Sequence, residues 1–92
     1  MLKVTEIIQT CSACPTQFEG RTSDNRRVYV RYRWGYLSVR IGEIGGDIYT
    51  AVNGTEVFGK VIDPEGWDGT MFFDELKEIT KGFVQWPDYE TE

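Results

Sequence analysis

Seventeen residues, Arg26 to Gly42 (RRVYVRYRWGYLSVRIG), constrain this chain more than any other stretch, because apolar and polar side chains alternate along most of them. Successive side chains of a strand point to opposite faces of a sheet. Val28, Val30, Tyr32 and Trp34 therefore fall on one face, and Arg27, Tyr29, Arg31 and Arg33 on the other. After Gly35 the pattern resumes, with Leu37, Val39 and Ile41 on one side and Tyr36, Ser38 and Arg40 on the other. A two-residue turn at Gly35-Tyr36, with glycine at the first central position, predicts a type II′ hairpin. That register sets Trp34 opposite Leu37, Tyr32 opposite Val39 and Val30 opposite Ile41, so the apolar faces coincide.

The same register sets Arg31 against Arg40, with Arg33 beside them. A turn two residues longer would oppose Arg33 and Arg40 instead. Like charges directly across a sheet are destabilising unless an anion separates them, and local conflicts of this kind tend to mark function. Arg27, Tyr29, Arg31, Arg33, Tyr36 and Arg40 are therefore the candidate ligand- or partner-binding residues. Guanidinium groups offer planar donors to phosphate or carboxylate, and tyrosine rings offer stacking surfaces. Glu19, on the neighbouring strand, can lie opposite Arg31 and compensate part of the charge within the sheet.

Ninety-two residues make one domain, here 1–86, followed by an acidic tail, 87–92. Three Trp, five Tyr and five Phe argue for a packed globule rather than disorder. No run is long enough to span a membrane, and the amphipathic start MLKVTEIIQT does not read as a secretory signal. A cytoplasmic setting is expected, with Cys11 and Cys14 reduced. The net charge is −5, unevenly spread. All six arginines lie between Arg21 and Arg40, whereas twelve acids follow Gly42. Overall acidity disfavours non-specific nucleic-acid binding, which needs a broad positive field.

Elsewhere the chain reads as follows. Val4, Ile7, Ile8 and Cys11 recur at helical spacing, predicting a helix over about Lys3–Ser12. Cys11-Ser12-Ala13-Cys14 matches C-x-x-C, but zinc needs about four ligands, and the chain has neither histidine nor a second cysteine pair. A zinc shared between two protomers is the remaining metal reading; cysteines serving packing are the simpler one. Thr16–Thr22 has the length of a strand, with Phe18 and Gly20 inward. Ile48–Ala51 suits a strand extension or a turn. Asn53-Gly54 signals a turn before a strand at Thr55–Ile62. Asp63–Gly69 is an acidic loop without EF-hand spacing, with Trp67 folded against the core. Thr70 caps a helix to about Lys81, stopped by Gly82, with Phe72, Leu76, Ile79 and Phe83 buried. Phe83–Trp86 suits a short final strand.

The expected fold is α+β: a mainly antiparallel four-stranded meander in the order α-β-β-β-β-α, both helices on the Val28/Val30 face. The run Cys14–Thr22, the Val28–Ile41 hairpin and Phe73-Asp74-Glu75-Leu76-Lys77 together resemble a family of short uncharacterised proteins from bacteria and their phages. That resemblance implies an accessory or host-interaction role and carries no functional residue with it.

No histidine means no Ser-His or Cys-His pair, and no phosphate-cradling glycine loop opens a helix. The expectation is a non-enzymatic binding protein without cofactor or metal. Its arginine face would meet an anionic small ligand or an acidic protein partner; a specific nucleic acid is compatible but not favoured. The alternative is an acidic inhibitor or nucleic-acid mimic of phage or accessory origin, acting on a basic host protein through Asp74, Glu75, Glu78, Asp88 and Glu90. A homodimer, or the tail folded over the arginine face, would join the two surfaces.

Overall fold

The computed structural model describes residues 1–13 and 15–91. Its centre is one six-stranded mixed sheet, curled into a half-barrel, in the order β5-β4-β3-β2-β1-β6. The strands are β1 (Leu2–Ser12), β2 (Thr16–Thr22), β3 (Arg26–Arg33), β4 (Tyr36–Ile44), β5 (Thr55–Val61) and β6 (Val84–Gln85). Two short helices accompany the sheet among the described residues: α1 (Ile48–Val52) and α2 (Phe73–Ile79). The first five strands form an antiparallel meander, and β6 returns parallel to β1. The expected four-stranded α-β-β-β-β-α domain is thus replaced by a mostly β architecture.

The largest departure is at the N-terminus, where a strand stands in place of the expected helix. β1 pairs with β2 from Val4 to Ser12, but its register shifts between Val4 and Glu6 and again between Gln9 and Cys11. An extra residue in a strand moves the next side chains to the other face. Val4 and Ile7 therefore both reach the core, three residues apart, as on a helix. Ile8, which a helix would have buried, pairs with Glu19 and is 45% exposed. Val4, Thr5, Ile7, Ile8 and Thr10 are β-branched, which suits the pleated alternative.

The hairpin turn also sits one residue earlier than expected. Trp34 and Gly35 both have positive φ, 55° and 74°, the signature of a type I′ loop rather than II′. Val28 then faces Ile41, Val30 faces Val39 and Tyr32 faces Leu37. A two-residue change in register preserves which face each residue occupies, so the apolar side survives intact.

Val28, Val30, Tyr32, Leu37 and Val39 meet Val4, Ile7 and Phe18 on the inner face, closed by Met71, Phe73, Leu76, Val84 and Trp86. Thr16 fastens this closure: its hydroxyl donates to Gly69 O at 2.9 Å and accepts from Met71 N at 3.0 Å. α2 begins after Phe72, and its buried side chains are Phe73 and Leu76. Phe72 and Phe83, expected inside, are exposed. Ile48–Val52 is a helix, capped by the Asp47 side chain. It lies on the outer face, not with α2, because Gly42 leaves room for Thr50 and Ala51 against β4. Among the described residues no helix is long and apolar enough to cross a membrane.

Candidate anion-binding groove

The outer face of the sheet is organised in cross-strand rows. One runs Gln17–Arg31–Ser38–Gly59, and the next runs Glu19–Tyr29–Arg40–Glu56. Arg31 therefore faces Ser38, and Arg40 faces Tyr29: the expected Arg31–Arg40 opposition does not occur. Nor does Glu19 oppose Arg31, since it pairs with Tyr29. The like-charge pair in this sheet is Arg21 opposite Arg27, with Glu6 beside Arg21 on β1.

Tyr29, Arg31, Arg33, Tyr36 and Arg40 line one open groove of about 670 Å³, together with Trp34, Ser38 and Glu56. Val52 and Asn53, at the end of α1, wall it on one side. Arg27, the sixth candidate, lies apart from this group, in a smaller hollow with Arg21, Glu6 and Glu19. The groove holds three guanidinium groups against one carboxylate, a formal +2.

That carboxylate is already engaged. Tyr36 donates its hydroxyl to both oxygens of Glu56, at 3.1 and 3.0 Å. The hydrogen bond to Glu56, followed by burial and the carboxylate's charge, raises the Tyr36 phenol above its ordinary range. Gly59 makes the pairing possible, because a Cβ there would sit 2.1 Å from the Tyr36 hydroxyl. Among the described residues the ion pairs are Arg26–Asp24 and Lys77–Asp74. Arg26 Nε is 3.0 Å from Asp24 Oδ2, without the alignment of a hydrogen bond. Arg31, Arg33 and Arg40 take part in no ion pair there. Arg40 instead donates to Gly54 O at 3.1 Å, and Arg33 lies 5.0 Å from the Trp34 ring centre. Arg31 Nε is buried with no acceptor among the described residues. Gln17, its neighbour in the row, donates to Tyr29 Oη at 2.9 Å.

Of the alternative acidic set, Asp74, Asp88 and Glu90 border a shallow cleft on α2, and Lys77 stands among them, paired with Asp74. Glu75 accepts from the Phe72 amide at the helix start, and Glu78 lies outside the cleft. The tail is docked: Lys77 donates to Asp88 O, and Thr91 bonds to Ile7 in both directions. Its described part runs along α2 and β1, away from the arginine groove. Cys11 Sγ turns back to Ala13 O at 3.6 Å; Cys14 lies outside the described residues.

No family model, curated protein or solved structure matches this chain. The site therefore rests on its own geometry. Sequence reasoning missed two of its neighbours, Trp34 and Trp67. Trp34 was expected on the core face and is 68% exposed in the turn; Trp67 was expected against the core and is 83% exposed. The signal for Trp34 lay in the Arg31–Arg40 conflict itself. Moving glycine to the second central position, as in Asn-Gly hairpins, removes the clash and places Trp34 at the tip.

Proposed function

We propose that this chain is a non-enzymatic binding protein that receives a phosphate- or carboxylate-bearing ligand in the outer groove, on Arg31, Arg33 and Arg40. One observation carries the reading: these three guanidinium groups share a concave surface, and none has a carboxylate partner among the described residues. Unpaired cations gathered in one cleft focus potential toward an incoming anion. Hydroxyl donors at Tyr29 and Ser38 complete a lining suited to oxyanions. The acidic-surface alternative has less behind it, because Lys77 neutralises part of its cleft.

The test is a thermal-shift and calorimetric titration with tripolyphosphate at low salt. A ligand that binds only the folded state raises its melting temperature by mass action, so a saturable rise is expected. Arg31→Gln with Arg33→Gln should weaken binding at least about tenfold, given about 1.5–3 kcal/mol for hydrogen bonds to charged groups. The unliganded double variant should melt within a few degrees of the parent, since it loses no ion pair and only the Arg33–Trp34 contact, worth about 0.5–1 kcal/mol. A large drop in its melting temperature, or no response of the parent to tripolyphosphate, overturns the proposal.

A further inference from the structure

Two of the three indoles in this chain stand in water, and the fold holds them there. Trp34 sits at the tip of the β3–β4 hairpin, and Trp67 on the loop after β5. With Arg33, Asp68 and Gly69 they line a hollow of about 100 Å³. Arg33 and Trp34 line both this hollow and the arginine groove, so the two adjoin.

The placement is enforced by backbone. Gly35 N donates to Asp68 O at 2.8 Å, and Gly35 O accepts from Ile62 N at 2.7 Å. A Cβ on Gly35 would sit 2.0 Å from Asp63 O, so the loop can lie on the turn only at a glycine. The Asp63 carboxylate takes the amides of Glu65, Trp67 and Asp68, and the Tyr32 hydroxyl reaches Asp68 Oδ2 at 3.0 Å. These bonds fix the loop that bears Trp67 against the turn that bears Trp34. Burial of either ring does not explain them.

We infer that the groove's ligand is a nucleotide unit, its base stacked in the Trp34/Trp67 hollow and its phosphate on Arg31 and Arg33. This rests on the anion-binding reading of the groove. A bare phosphate or an acidic peptide would use the guanidinium groups and have no need of two exposed indoles. A planar base beside a phosphate uses both. Indole and guanidinium planes stack on any base, and the small hollow suits a single ring system while the larger groove takes sugar and phosphate. Duplex recognition is disfavoured: the net charge is −5, and Glu19 and Glu56 end the row next to Arg31. The unit can come from a free nucleotide or from an unpaired stretch of single-stranded nucleic acid.

Indole fluorescence and calorimetry distinguish the outcomes, using adenosine 5′-monophosphate, ribose 5-phosphate, tripolyphosphate and a single-stranded hexanucleotide. The monophosphate should quench fluorescence and bind at least about tenfold more tightly than ribose 5-phosphate, the scale expected of one stacked base. Trp67→Ala, at a position outside the arginine groove, should bring the monophosphate toward the ribose 5-phosphate level without changing the latter, and Trp34→Ala should weaken the monophosphate at least as much. Both positions are exposed, so circular dichroism should be unchanged. A hexanucleotide that binds more tightly, with a log–log salt slope near −0.7 per phosphate contacted, identifies a strand as the source; equal affinity identifies the free nucleotide. Equal binding of ribose 5-phosphate and the monophosphate, insensitive to both tryptophan variants, overturns the base site and leaves the anion groove standing. If tripolyphosphate does not bind either, both fall.

Discussion

Trp34 adopts a left-handed backbone conformation that suits glycine or asparagine, with φ at 55°. For an ordinary residue that conformation costs about 1–2 kcal/mol, and here the ring it carries stays 68% exposed. Contact with Arg33 returns about 0.5–1 kcal/mol. Trp34→Asn should accordingly raise stability by about 0.5–1 kcal/mol, seen as a melting temperature higher by a few degrees. The same variant should bind the nucleotide monophosphate less well, so gain and loss would appear together. A lower melting temperature would mean that the indole supports the fold. Tyr32 works in the opposite sense. Burial, then its bond to Asp68, pushes its phenol up to about 12 from the usual 10.0. A raised value means the stabilisation is complete below about pH 10 and is lost as pH rises through about 12. Tyr32→Phe should cost about 1–2 kcal/mol at neutral pH and flatten the stability profile over that window. Chemical denaturation at stepped pH measures both.

Among elements, β1 teaches the most about reading sequence. Its apolar spacing fits a helix because two register shifts fall where a helix would turn. Periodicity alone cannot distinguish a bulged strand from a short helix. The β-branched content could have decided it. The hairpin was legible in its faces, since alternation fixes sidedness whatever the turn, but not in its pairing, which depends on where glycine sits. The groove was legible only in part. Five of six candidate residues line it because they share one face of adjacent strands, while Arg27 follows the same alternation into another hollow. Trp67 belongs to a loop with no period to read, and α1 became a wall of the groove through a glycine, Gly42, whose role appears only in three dimensions. Gly20 shows how closely β1 depends on its neighbour: a Cβ there would lie 2.2 Å from Glu6 O and 2.9 Å from Ile7 Cδ1. Gly20→Ala must part the two strands, at an expected cost of about 1–3 kcal/mol. An unchanged denaturation midpoint would show that β1 is not held as described.

For the molecule as a whole, the question is what closes the sheet on the β1 side. β6 covers only Leu2 and Lys3, and an exposed edge beyond them would invite pairing with another chain. The C-terminal residues take over where β6 ends. Ile7 N donates to Thr91 Oγ1 at 3.1 Å, and Thr91 N donates to Ile7 O. The sequence marks 87–92 as an acidic tail, mobile unless it docks; two bonds from Thr91 to a core strand make its described part a strap. Charge follows the same division: acids Asp88 and Glu90 are held beside α2, leaving the arginine groove open on the outer face. Thr91→Pro removes both bonds to Ile7, because proline lacks the amide hydrogen and the hydroxyl alike. The variant should lose about 1–2 kcal/mol, and the Ile7 amide should exchange with solvent faster while those of β3 and β4 do not. Tripolyphosphate binding should be unaffected, since the strap and the groove share no residue. Unchanged exchange at Ile7 would show that the strap does not hold, and a light-scattering mass that rises with concentration in the variant would show that the strap normally keeps β1 from pairing with a second copy.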